Sequence, residues 1–227
     1  MIRQYVLATM LASAGALAQP TAPDALQQRF AALRQSMAQN QAKLRLYTWT
    51  ETTELTVNGE LRKRSQNVCR YTPDGRLIKT PIGESAPAAP KRGVRGKIVA
   101  NKSAEMKEYL DRVESLLQRY SPPDPQMMEM SFQAGKAAVD AASGGLAFAD
   151  YAKPGDRVTL TFDPAAGKIR SFNVTTYLDG PNDLVTLNAR FATLADGTSY
   201  LDESLLNATA KDVRIRTINF GHQKVGN

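Results

Sequence analysis

General acid–base and nucleophilic catalysis need particular side chains, and this chain holds few of them. His222 is the only histidine and Cys69 the only cysteine in 227 residues. One histidine excludes a His-rich metal site, and one cysteine excludes a cysteine-built zinc site and an internal disulfide. Carboxylates stand at Glu51, Glu54, Asp150 and Asp163, but nothing in their spacing brings two together as a glycosidase pair would require. There is no Gly-x-Ser-x-Gly elbow. Gly135-Lys136 lacks both the upstream glycine and the following Ser or Thr of a phosphate-binding loop. Cys69 lies in the alternating run Asn67-Val68-Cys69-Arg70-Tyr71 with no histidine near it in sequence, so it reads as a small core hydrophobe. No catalytic residue, metal ligand or cofactor is assigned.

Two other patterns carry binding chemistry. Lys91, Arg92, Arg95 and Lys97 are interleaved with Gly93 and Gly96 in a Pro- and Gly-rich stretch from 83 to 97. A flexible basic loop of this kind lets backbone N–H groups approach an anion or head group; a solvated surface loop has the same composition. Met127, Met128 and Met130, with Phe132, suit an adaptable apolar surface, and equally a gap-filled core.

These residues must be positioned by a small set of elements. Leu26, Phe30, Leu33 and Met37 recur at helical spacing, which predicts an amphipathic helix from Asp24 to about Leu44. At Tyr47 the period changes. Residues 47–57 are β-branched and aromatic, Asn58-Gly59 predicts a tight hairpin turn, and the return strand spans 60–71. A third strand begins at Arg76 after Pro73-Asp74-Gly75. Ser103 is expected to cap a helix to about Tyr120, with Met106, Leu110, Val113, Leu117 and Tyr120 as its stripe. Asp124-Pro125 is expected to open another helix running to about Ala142. Strands are then expected at 146–151, 157–162, 168–178, 184–194 and 209–220, joined by Pro-, Gly- and Asp-rich turns. About eight strands and three helices in this order point to an α+β fold with a large antiparallel sheet.

Composition agrees with a globular domain: 42% of residues are hydrophobic and 22% charged, which excludes disorder throughout. At the start, Arg3 precedes an apolar run from Tyr5, and Ala16-Leu17-Ala18 has the small residues of a cleavage site. Residues 1–18 therefore read as a secretory signal peptide; the run is short of the roughly 20 residues a spanning helix needs. Residues 19–227 form one domain in this reading. Export removes nucleic acid from the partners that a net charge of +7 suggests, leaving anionic lipid or envelope polymer.

The order of elements, the segment Val158–Ile169 with its Asp163-Pro-Ala-Ala-Gly167 turn, and the stretches 47–53 and 69–82 resemble the periplasmic lipoprotein carrier (LolA-like) superfamily and an uncharacterised group of bacterial exported proteins. The resemblance implies an unclosed, curved half-barrel plugged by helices, with acyl chains held on its apolar concave face. It implies a periplasmic, non-enzymatic carrier whose partners are a lipid or acyl chain and, transiently, an anionic membrane surface. The apolar candidates are then Phe30, Leu33, Met37, Trp49, Met127, Met128 and Phe132, and the head-group candidates are Lys91, Arg92, Arg95 and Lys97. Two other readings stay open: a module binding envelope protein or polymer, and a cryptic hydrolase.

Overall fold

The computed structural model describes residues 31, 35–83, 94–121, 123–140, 143–163 and 168–225. Helix α1 covers residues 35–44. A hairpin follows, β1 (Tyr47–Val57) and β2 (Glu60–Tyr71), then β3 (Leu77–Pro81). Helices α2 (Val94–Leu117) and α3 (Pro125–Gln133) separate these strands from β4 (Ala137–Val139), β5 (Leu146–Ala149), β6 (Arg157–Asp163), β7 (Lys168–Tyr177), β8 (Leu184–Thr193), β9 (Ser199–Ala208) and β10 (Val213–Lys224). All ten strands form one antiparallel sheet in the order β3-β2-β1-β10-β9-β8-β7-β6-β5-β4. The sheet does not close: β3 and β4 are its two edges. The fold is the α+β half-barrel expected.

Local chemistry explains the hairpin. Asn58 (φ 50°) and Gly59 (φ 75°) both take left-handed conformations, as a two-residue type I′ turn demands, and β1 and β2 leave it in register from Val57 opposite Glu60. The chain then closes on itself through β1 and β10, which pair from Val57↔Val213 to Tyr47↔Lys224. The two meanders, β1–β3 and β4–β10, become one sheet through this pairing.

Several boundaries differ from the sequence reading. Helix α2 starts at Val94 rather than Ser103, so residues 94–97 of the expected basic loop form its opening turn. Its buried stripe is Tyr109, Val113 and Leu116, with Met106, Leu110 and Leu117 only partly buried beside it, and Tyr120 is buried in the turn that follows. Asp124 caps α3, accepting the Gln126 N–H at 2.8 Å, but the helix ends at Gln133, not near Ala142. Bonds from Gly135 N–H to Phe132 O and from Lys136 N–H to Ser131 O close it, and Ala137–Val139 then pairs with β5. Strand β9, unassigned in the sequence reading, fills the place between β8 and β10. Strand β10 starts at Val213, after a 3-10 turn over Thr209–Lys211.

The core lies on one face of the sheet under α2 and α3. Tyr120, Phe148, Leu160, Val113, Val158, Val174 and Val185 are all fully buried. Each such apolar side chain contributes roughly 1.5–3 kcal/mol by leaving water. Leu160→Ala is expected to cost about 2–5 kcal/mol in denaturant unfolding, and Leu61→Ala, on the solvent-exposed part of β2, within about 0.5 kcal/mol.

Candidate functional site: the inner face and its helical lid

Cross-strand register places one residue of each strand beside one of the next, so the inner face reads as rows. One row runs Leu55, Ile215, Leu206, Leu187, Val174, Val158, Phe148 and Ala137 across eight strands without a polar side chain. The row on one side is Val57, Val213, Ala208, Val185 and Thr176. The row on the other begins polar, at Thr53, Thr217 and Ser204, and turns apolar at Ala189, Phe172, Leu160 and Leu146. The opposite face carries Thr50, Glu54, Arg216, Glu203, Arg190 and Asn173, with ion pairs Arg216–Glu203 and Arg190–Glu203. Period-two alternation thus separates a wet face from a dry one.

The dry face is covered unevenly. Beneath α2 and α3 the packing is complete: Val113, Tyr120 and Met128 meet Phe148, Val158 and Leu160 in one buried cluster. Towards the other end, Phe162, Ile169, Phe191 and Leu201 are only partly buried against that cluster, together with Met37 of α1. Helix α1 is tied there by a reciprocal amide pair, Asn40 Nδ2 donating to Ser199 O (2.8 Å) and Ser199 N–H to Asn40 Oδ1 (2.6 Å).

Polar contacts hold α2 on the sheet. The Asp156 carboxylate, almost fully buried, accepts backbone N–H groups of Tyr151, Ala152 (3.0 Å) and Lys153 (2.9 Å). It also accepts the Tyr120 hydroxyl at 2.7 Å, and Thr176 Oγ1 lies 2.9 Å from the same hydroxyl. Because the tyrosine proton goes to the carboxylate, Thr176 donates to the tyrosine oxygen. Burial raises the Tyr120 phenol well above its ordinary value, and the Asp156 contact adds to the rise, so it stays a donor. Further along, Tyr109 donates to Asp183 (3.0 Å) and Arg112 pairs with Asp179. Tyr151, pushed up to about 12 mainly by burial, receives the Asp124 N–H at 3.0 Å and fixes the start of α3.

Beyond the polar end of the rows lies an aromatic cluster. Trp49 donates from Nε1 to Asn219 Oδ1 (2.9 Å) and its ring stacks on His222, with centroids 5.7 Å apart. Tyr71 and Tyr200 flank the pair. Glu51, buried, takes both carboxylate oxygens to Lys79 at 2.7 and 2.8 Å. Cys69 is fully buried beside Trp49, and burial, then the Glu51 charge, raises its thiol to about 11, which leaves it inert.

The sequence-derived candidates divide accordingly. Met37, Met127 and Met128 come together in or against the core cluster, Met128 as a fully packed core residue. Phe132 is half-buried on α3. Trp49 stands apart from them among polar partners. Arg95 and Lys97 fall in the first turns of α2. Phe30, Leu33, Lys91 and Arg92, like the expected signal peptide at 1–18, lie outside the described residues. The sequence reading did not find the Tyr120–Asp156–Thr176 contact. Its one local signal is the turn Lys153-Pro154-Gly155-Asp156, whose final aspartate accepts back from the turn. Among the described residues no three His, Cys, Asp or Glu side chains gather as metal ligands, and no helix is long and apolar enough to cross a membrane. No protein-family model, curated protein or solved structure matches the chain.

Two outcomes follow from these contacts. Tyr120→Phe leaves a buried carboxylate short of one donor and is expected to cost roughly 1–3 kcal/mol in urea unfolding. Burial lowers His222 below its ordinary 6.5, so the folded state prefers the neutral ring. Its stability contribution is complete above pH 6.5 and lost as pH falls through the lowered value. The Tm should therefore fall on acidification below pH 6.5, and His222→Phe should flatten that part of the profile. The carboxylate-dependent loss at lower pH, to which Asp196 (held at about 2 chiefly by the Tyr47 hydroxyl) belongs, should remain.

Proposed function

We propose that the chain is an extracytoplasmic, non-enzymatic carrier that holds an acyl chain between the inner face of its half-barrel and its helices. The observation that carries this reading is the eight-strand apolar row, covered by two helices rather than by a second sheet. An acyl chain stabilises such a face by roughly 0.8 kcal/mol per buried CH₂, so a sixteen-carbon chain is worth about 12 kcal/mol out of water. The side chains of α2 and its following turn that cover the face, Tyr109, Val113, Leu116 and Tyr120, contribute about 6–12 kcal/mol on the same scale. The two are comparable, so a lipid tail offsets much of the apolar burial lost when α2 moves away. The partly buried group Phe162, Ile169, Phe191 and Leu201 gives the tail a place to start. Arg95 and Lys97, in the first turns of α2, are the residue types an anionic head group would take as partners. Export through residues 1–18 to the periplasm and the likeness to lipoprotein carriers belong to this proposal.

A second reading has an observation of its own. The core under α2 and α3 is filled, as in a binding module that presents surfaces and holds no cargo. A fluorescent sixteen-carbon fatty acid separates the two. A carrier binds it, and Phe191→Asp weakens binding at least about tenfold, or ~1.4 kcal/mol. A folded protein that takes up no probe, and carries no lipid by native mass spectrometry when purified from its host, contradicts carriage and favours the module.

A further inference from the structure

Among the described residues, the half of β2 nearest the hairpin has a free edge. Strand β3 pairs only with Asn67–Tyr71, and the last bond on that side is Ile82 N–H to Gln66 O at 2.8 Å. Pro81 has no N–H to continue the ladder, and the chain bends at Gly83 (φ 85°). From Glu60 to Ser65, β2 is therefore paired with β1 on one side and, among the described residues, with no strand on the other. Alongside lies an open groove of about 710 Å³, lined by Lys63, Arg64, Ser65 and Gln66 of β2 and by Pro81 and Ile82 at the end of β3. Because Gln66 turns its carbonyl outward to Ile82, Arg64, two residues away, turns its N–H and C=O outward too.

We propose that this edge is a docking site where an extended acidic segment of a partner protein adds as a strand beside β2. The geometry supplies the outward N–H and C=O of Arg64, one step beyond Gln66, before the extra β2 residue between Lys63 and Leu61 breaks the alternation. Leu61 and Ile82, both exposed, offer apolar contact towards the two ends. The charge selects the guest. Arg62, Lys63 and Arg64 are consecutive, and one extra β2 residue falls between the pairs Leu55↔Lys63 and Thr56↔Leu61. Arg62–Glu60 is an exposed pair of the weak surface kind, and Arg64–Glu54, long at 3.5 Å, is half-exposed. No carboxylate of the described residues lies within ion-pair distance of Lys63. The same three cations disfavour a second copy of the chain, which would set like charge against like. This inference does not depend on the acyl-chain reading, and its test leaves lipid binding untouched.

The test titrates labelled peptides of alternating threonine and glutamate, or threonine and lysine, into the full chain and follows fluorescence anisotropy. The acidic peptide is expected to bind at least about tenfold more tightly than the basic one. Lys63→Glu should weaken it about tenfold. Arg64→Pro, which removes an outward N–H without touching the β1 ladder, should abolish binding while the fatty-acid probe behaves as before. Failure of the acidic peptide to bind, equal binding of both peptides, or binding indifferent to Lys63→Glu overturns the proposal. So does concentration-dependent self-association that Lys63→Glu abolishes, since the occupant is then a second copy.

Discussion

An open antiparallel sheet with one apolar face has to cover that face, and most of this molecule follows from how it does so. The row from Leu55 to Ala137 spans eight strands, and a sheet this wide exposes more apolar surface than a single helix can hide. Helices α2 and α3 cover the end built on β5–β8, where Phe148, Val158 and Leu160 lose all contact with solvent. The remainder changes character. Thr53, Thr217 and Ser204 make the next row polar where it crosses β1, β10 and β9, and beyond it Glu51 pairs with Lys79 while Asn219 accepts the Trp49 N–H. The sequence therefore limits the dry region from both sides, with aliphatic side chains under the lid and paired polar groups outside it.

The lid is fixed by chemistry as well as by packing. Tyr120 carries α2 to a buried carboxylate that already accepts three backbone N–H groups of its own loop, so the acceptor is rigid before the helix arrives. A buried charge satisfied in this way orients its partner strongly, and losing one donor is costly because water does not replace it. The contacts towards the middle of α2, Tyr109–Asp183 and Arg112–Asp179, lie nearer solvent and are weaker. The helix is thus held at its C-terminal end by a buried carboxylate and along its length by the packing of Tyr109, Val113 and Leu116.

Local signals in the sequence were enough wherever pairing is local. Asn58-Gly59 and the β-branched run before it mark the first hairpin to the residue, because turn type and register are decided within a few positions. Strand β9 was hidden for the opposite reason. Ser199–Ala208 contains no β-branched residue and carries Leu, Glu and Ala, and becomes a strand because β8 and β10 pair with it on both sides. Ala137–Val139 reads as the tail of a helix until β5 gives it a partner. The site shows the same division. Met127 and Met128 were legible as apolar, but whether they line a cavity or fill a core depends on neighbours far away in the chain. Trp49 finds Asn219 and His222 some 170 residues on, and Tyr120 finds Asp156 and Thr176, pairings that no local pattern encodes.

The proposed carriage requires α2 and α3 to form a separable cover over an apolar face, not an inseparable part of the core. Hydrogen exchange measured with and without a long-chain fatty acid tests this most directly. The account expects α2 amides to exchange through a local opening well below the global unfolding free energy, with β6–β8 far more protected, and fatty acid to alter α2 exchange selectively. Equal protection of α2 and β6–β8, unchanged by fatty acid, would contradict it.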